Sequence, residues 1–284
     1  MYCEKCGQEI PDHATFCGKC GAKIGDTEQQ DIGKKKRKPG RDRKVLLRIG
    51  QVIAIAVGVI GIAFWISSRA VPMNKAKVGS TVVFGSFEQD NDLENGTEPI
   101  EWIVLDKQGD KLLLLSKKVL DSRNYYGAYY PVTWEESHLR FWLNSVFYET
   151  AFTEEEQQKI LLTEVVNDDN PDYGTDGGND TEDNIFLFSI KEVKEYLPGS
   201  RRSEGTAYAM DKGLATDSEN YAYWWLRSPG RDTDTAAYVT SHHTAFATPS
   251  MSYSALAGGV YEAGCLVGND TVGVRPALWV SIGE

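Results

Sequence analysis

Two spacings of apolar residues divide this chain. Residues 49–66 form an apolar run whose one strongly polar member is Gln51, whereas beyond residue 78 apolar positions come in short stretches separated by polar turns. At about 1.5 Å per residue the run covers roughly 27 Å, and counted from Val45 roughly 33 Å, against a hydrocarbon core of about 30 Å. A helix in a protein core usually shows a polar face, and a signal peptide would not normally follow a 44-residue leader. The pattern therefore predicts a transmembrane helix over residues 45–67.

In the distal region, residues 81–84, 100–105 and 112–115 read as strands, the last two joined by a turn at Lys107-Gln108-Gly109-Asp110. Three pairs then mark helix starts by the capping-box spacing: Thr133 with Glu136, Thr153 with Glu156, and Ser189 with Glu192. After the first of these, Leu139, Leu143, Val146 and Phe147 recur at helical spacing and are expected to face the core. Strand-like runs return at 222–226, 236–240, 259–267 and 272–280. Strands bracketing a helical middle predict an α+β domain over residues 78–284, not alternating βαβ units. Six of the seven Trp and thirteen of the fourteen Tyr fall there, enough for a substantial core.

Charge adds orientation. The net charge of -11 conceals a split, because residues 1–78 carry 15 Lys/Arg and 7 Asp/Glu while residues 79–284 carry 15 and 34. Nine basic residues (34–38, 41, 43, 44 and 48) precede or enter the apolar run, against Arg69, Lys75 and Lys77 after it. The positive-inside rule then places the N-terminus in the cytoplasm and the distal domain outside, as a single-pass protein of the cell membrane, with Trp65 as an interfacial anchor. A basic run can also bind nucleic acid, but directly against a span it is more simply a topology signal that attracts anionic lipid. Residues 25–44 read as a polar, charged, flexible linker.

Cysteines supply the sharpest chemistry. Cys3 and Cys6, then Cys17 and Cys20, form a doubled C-x-x-C with Gly7 and Gly21 directly after the pairs. Two thiolates three positions apart can grip one ion from a tight turn, and two such turns complete a tetrahedron. Four sulfur ligands leave no open position, so the expected zinc is structural; a segment this short has little core, and metal binding supplies its folding energy. Residues 1–24 resemble the short zinc ribbons found at the N-terminus of many bacterial membrane proteins. The resemblance implies zinc on Cys3, Cys6, Cys17 and Cys20, with Tyr2, Ile10 and Phe16 packing around it, and leaves open whether its cytoplasmic partner is a protein or a nucleic acid.

The distal domain carries five further motifs in order: Pro99 to Leu105 (PIEWIVL), Leu139 to Asn144 (LRFWLN), Asp183 to Ser189 (DNIFLFS), Trp224 to Gly230 (WWLRSPG) and Val274 to Leu278 (VRPAL). The series resembles a bacterial extracytoplasmic domain family of unknown function, sometimes fused to a zinc ribbon and a membrane helix. Its closing Trp-rich and Val-Arg-Pro strands look like the C-type lectin-like and sulfatase-modifying-factor superfamily, which implies a C-type lectin-like fold. Formylglycine-generating enzymes in that superfamily use a cysteine pair, and Cys265 stands alone here. Sugar-binding lectins ligate calcium through Glu-Pro-Asn or Gln-Pro-Asp, and the nearest string, Glu98-Pro99-Ile100, has an apolar third residue.

Candidate sites are therefore weighed on their chemistry. Residues 167–184 hold seven acids and no Lys or Arg, and Asp168, Asn170 and Asp172 begin an EF-hand-like pattern that fails at Tyr173 and Asn179. Calcium there is the lesser reading; a solvated acidic loop is the stronger. For Arg227 and Arg275, in apolar strands, salt bridges to carboxylates are the stronger reading and ligand recognition the lesser. Of Trp224 and Trp225, on opposite faces of an extended strand, at most one is expected in the core; for the other, lining a surface site is the lesser reading and core or edge packing the stronger. His138 falls in the first capped helix, adjacent His242 and His243 diverge, and Cys265 reads as a small buried side chain. No nucleophile elbow, His-Glu-x-x-His or phosphate loop occurs.

The preferred sequence reading is a cytoplasmic zinc ribbon, one membrane helix and an external domain that binds a glycan or peptide. The rival is an envelope enzyme using acids such as Glu101 or Asp183, and a third reading is a transmembrane sensor or scaffold. The acidity beyond residue 78 argues against nucleic acid as the distal domain's partner.

Overall fold

A computed structural model describes residues 70–241 and 258–283. They belong to the second of the chain's two units, Ala54–Glu284. The expected span over 45–67, the four N-terminal cysteines, His242 and His243 lie outside the described residues. Among the described residues no helix is long and apolar enough to cross a membrane.

The domain mixes helix and strand and is mostly sheet. Strands β1 (Thr81–Phe87), β2 (Glu98–Gln108), β3 (Lys111–Ser116) and β11 (Ala277–Ser281) form a four-stranded antiparallel sheet in the order β1-β2-β3-β11. Alternation along β2 buries Ile100, Trp102 and Val104, as a half-covered strand requires. Gly109 makes the tight β2–β3 turn in the left-handed region, at φ 62°.

A second sheet takes the order β4-β10-β7-β8-β9, from β4 (Asp121–Ser122), β7 (Trp224–Pro229), β8 (Thr235–Val239), β9 (Val260–Leu266) and β10 (Gly273–Val274). β10 runs parallel to β7, pairing Gly273 with Trp224. β5 (Thr163–Val165) and β6 (Thr181–Asp183) form a small separate ribbon.

The helical middle is α1 (His138–Trp142), a π-helical turn at Leu143–Phe147, α2 (Tyr148–Ala151) and α3 (Glu154–Gln157). Later come α4 (Ile190–Tyr196) and α5 (Ala207–Asp211). The capping boxes at Thr153/Glu156 and Ser189/Glu192 are both closed. The one expected at Thr133/Glu136 does not form. Trp134 is drawn inward, its indole donating to buried Asp183 at 2.8 Å, so residues 134–136 turn and Ser137 becomes the N-cap, accepting from Arg140 N–H.

Leu139, Leu143 and Phe147 are buried, but Val146 is half exposed. The π turn takes more residues per turn than an α-helix, which keeps positions four apart on one face and rotates Val146 outward. Phe147 then packs against Phe152 at 5.9 Å between centroids, and Phe152 against Phe84 of β1 at 5.2 Å, seating the helical segment on the first sheet.

Candidate functional site

Most of the motif residues turn out to hold the fold together. Asp183, fully buried, accepts from Trp134, from Arg140 Nε at 2.6 Å and from Thr181 Oγ1 at 2.9 Å. Its two oxygens are committed, which removes it as a catalytic acid. Arg227 is ion-paired to Glu192 as expected, and also donates to the Leu187 and Val166 carbonyls. Trp224 and Trp225 are both fully buried, against the expectation that at most one lies in the core. β7 is central and covered on both faces: Tyr125 lies against Trp225 at 5.7 Å, while the Arg275 guanidinium lies over Trp224 at 4.9 Å.

Two further expectations change, at Arg275 and Cys265, and the acidic loop follows its stronger reading. Arg275 is buried and has no carboxylate partner among the described residues; it donates to the Ser116 carbonyl at 2.9 Å and, more weakly, to that of Arg201 at 3.5 Å. Cys265 is half-buried, with burial pushing its thiol up to about 12 and Asn269 offering a hydrogen bond at 3.9 Å. The acids of residues 167–184 do not gather around a cation. Asn170, the central residue of the calcium reading, points its amide inward to the Pro229 and Glu262 carbonyls. Asp169, Asp176 and Asp180 accept backbone N–H groups of Gly177, Gly178 and Asn167. This is loop-closing chemistry.

What faces solvent is a different set. A depression of about 390 Å³ runs along the start of α1, lined by Glu135, Glu136, Ser137, His138, Arg140, Phe141, Asn144 and Ser145. Phe141 is 72% exposed in a helix whose neighbours Leu139 and Leu143 are buried. His138 lies against Tyr126 at 4.2 Å, and its Nδ1 accepts the Gly127 N–H at 3.1 Å, so the neutral ring carries its proton on Nε2. Arg140 and Asn144 are walls: their polar atoms are engaged by Asp183, Glu135, Glu182, Asn184 and Ile185. Among the described residues the Glu136 carboxylate has no hydrogen-bond partner, and the Phe141 ring faces solvent.

A second depression, about 370 Å³, lies between the acidic loop and α4, with Asp168, Asp169, Lys191, Lys194, Ser189 and Ser228 in its wall. Its polar groups largely satisfy one another. Lys191 meets Asp168 at 3.5 Å, Lys194 meets Glu262 at 2.6 Å, and Ser228 Oγ accepts the Ile190 N–H at 3.1 Å.

A third, about 290 Å³, is lined by Asp90, Glu98, Glu101, Lys117 and neighbours, with Glu101 ion-paired to Lys117 at 3.0 Å. Beside it Glu88, Asp90 and Glu98 bring carboxylate oxygens within 4.8 Å of one another. Burial holds Glu88 above the usual carboxylate range, whereas the Asn95 hydrogen bond holds Asp90 below it. These acids also close the β1–β2 loop, accepting from Gln89, Asn91 and Asp92 N–H groups.

The chain belongs to the family described as a domain of unknown function, DUF6273, which it matches over residues 109–282. That match takes in the α1 and α4 depressions and leaves out the acid cluster. Residues 2–24 match the zinc-ribbon domain, whose four-cysteine donor set suits a structural zinc ion on Cys3, Cys6, Cys17 and Cys20. No curated protein and no solved structure matches the chain. Sequence reasoning missed Phe141 as a surface residue; the signal available was its place out of phase with the Leu139, Leu143, Phe147 spacing.

Proposed function

We propose that this is a single-pass membrane protein with a cytoplasmic zinc ribbon and an extracytoplasmic DUF6273 domain that binds a neutral glycan or a peptide along the start of α1. The observation that carries the binding reading is Phe141, a large aromatic ring exposed beside a free carboxylate and a histidine. An aromatic face stacks well on the apolar face of a sugar ring or on a peptide side chain, while the polar rim orients it. The topology rests on the nine-to-three basic imbalance across residues 45–67. The C-type lectin-like assignment is part of the proposal too, supported by the adjacency of the Trp-rich and Val-Arg-Pro strands as β7 and β10.

An enzyme is the second reading, and one observation favours it. Glu88 and Asp90 are neighbouring carboxylates shifted in opposite directions, the division of labour that acid–base catalysis uses. Their hydrogen bonds to loop backbone and their place outside the matched family region set it second.

Protease added to intact cells or protoplasts tests the topology: residues beyond 70 should be degraded and a tag at Met1 spared. Protection of the distal domain would reverse the orientation. Screening the full chain against envelope glycans and peptides tests the binding half, and turnover abolished by Glu88→Gln in a folded protein would favour the enzyme.

A further inference from the structure

Among the described residues, two buried arginines stand apart from the ion-paired Arg227. Arg201 and Arg275 are 5% and 3% exposed, and neither is ion-paired to a carboxylate among the described residues. Arg275 has five N–H donors and meets two carbonyl oxygens, of Ser116 and Arg201, the second at 3.5 Å. Arg201 meets one, the Val193 carbonyl, also at 3.5 Å. Burial without a counter-charge lowers the pKa of both, that of Arg275 to about 9.

Two other polar atoms in the same neighbourhood lack partners. Ser241 is fully buried and its Oγ has no hydrogen bond, and Arg202 Nε is likewise enclosed and unpartnered. Ser241 lies two residues past the end of β8, next to Thr240, whose N–H bonds to the Gly259 carbonyl. Facing it across this hairpin, Gly258 presses on the arginine segment: a Cβ there would stand 2.8 Å from Arg202 N and 3.1 Å from Arg201 Cβ. The Arg201 carbonyl joins the parts from the other side, accepting from both the Trp224 indole at 3.3 Å and Arg275.

We propose that Arg201 and Arg275, with Ser241 at their side, form a binding site for a small oxyanion, a carboxylate or a phosphoryl group. Unpaired buried cations are costly, and the remedy used elsewhere in this domain is an ion pair, as at Arg140–Asp183 and Arg227–Glu192. Here the counter-ion has to come from a ligand. The Trp224 ring covers one face of the Arg275 guanidinium and leaves its in-plane donors for a planar or tetrahedral oxyanion. Arg201 and Arg275 keep only 5% and 3% of their surface exposed, so the site admits nothing larger than a small ion. The acidity of the domain as a whole repels polyanions, which restricts the site to small or singly charged groups.

The test uses the full chain in detergent solution, titrated separately with sodium acetate and sodium phosphate at ionic strength held constant with sodium chloride. Tryptophan fluorescence follows thermal unfolding, because six of the seven Trp lie beyond residue 78. The expected result is a saturable rise in the unfolding midpoint with at least one salt, roughly 5–10 °C at a hundredfold excess over Kd. Acetate alone would assign a carboxylate ligand, and phosphate a phosphoryl group. Arg201→Gln should weaken the apparent affinity at least tenfold, while exposed Arg231→Gln leaves it unchanged. Should Arg201→Gln fail to fold, Ser241→Ala decides: it should fold normally and weaken binding by roughly tenfold, the worth of one hydrogen bond to a charged group. No saturable rise with either salt, or a rise undiminished in the folded variant, overturns the proposal.

Discussion

Glu192 has two partners: its Oε2 accepts the Ser189 N–H at 2.7 Å, closing the capping box of α4, and the same carboxylate pairs with Arg227, whose Nη2 reaches Oε1 at 3.1 Å. The ion pair thereby ties the start of α4 to the central strand β7. Breaking a pair with one member this buried should cost about 3 kcal/mol or more, since it leaves an uncompensated charge. Glu192→Ala and Arg227→Met should each destabilise by that amount in chemical denaturation. The double variant should lose clearly less than the sum, and strict additivity would show that the pair does not couple.

Trp224 and Trp225 should behave alike. Each is fully buried with its indole N–H bonded, to the Arg201 and Arg123 carbonyls respectively, so each Trp→Ala should cost about 3–5 kcal/mol. A loss below about 1 kcal/mol at either position, measured by denaturant titration, would mean that its side chain is not in the core.

Strand positions were largely legible in the sequence because alternation and turn residues are local signals. The residues 81–84, 100–105 and 112–115 all fall within observed strands, and two of three capping boxes close. What escaped depends on tertiary cover. The alternation at Trp224-Trp225 cannot say that β7 is buried on both faces, and Arg275 gives no local sign that it lacks a carboxylate. Likewise Trp134 bonding to Asp183, 49 residues away, displaces the first helix start. The candidate site was least legible: Phe141 is out of phase with Leu139, Leu143 and Phe147, which signals exposure, but nothing local marks an exposed aromatic as a recognition surface.

Cys265 offers a pH test with a definite sign. Its folded pKa, pushed up to about 12 by burial, lies above the unfolded value of about 8.5. The folded state therefore holds the proton that the unfolded state releases, and the contribution is fully present below about pH 8.5 and lost as pH rises toward 12. Stability should fall over that range, and Cys265→Ser should flatten part of the fall. Thiolate absorbance appearing near pH 8.5 in the native protein would contradict the burial argument.

Zinc should belong to the ribbon alone. Freshly purified, reduced protein should hold one zinc ion, and Cys17→Ser should release it and unfold residues 1–24 while leaving the unfolding of the distal domain unchanged. Metal analysis finding no zinc would remove the assignment to Cys3, Cys6, Cys17 and Cys20.

The most direct test of the binding claim is the affinity of the full chain and of its Phe141→Ala variant for the best glycan or peptide found by screening, with the unfolding midpoint as control. Phe141 is 72% exposed, so its removal should lower affinity at least tenfold and move the midpoint by no more than about 2 °C. Equal affinity in the two proteins would contradict a recognition surface on α1.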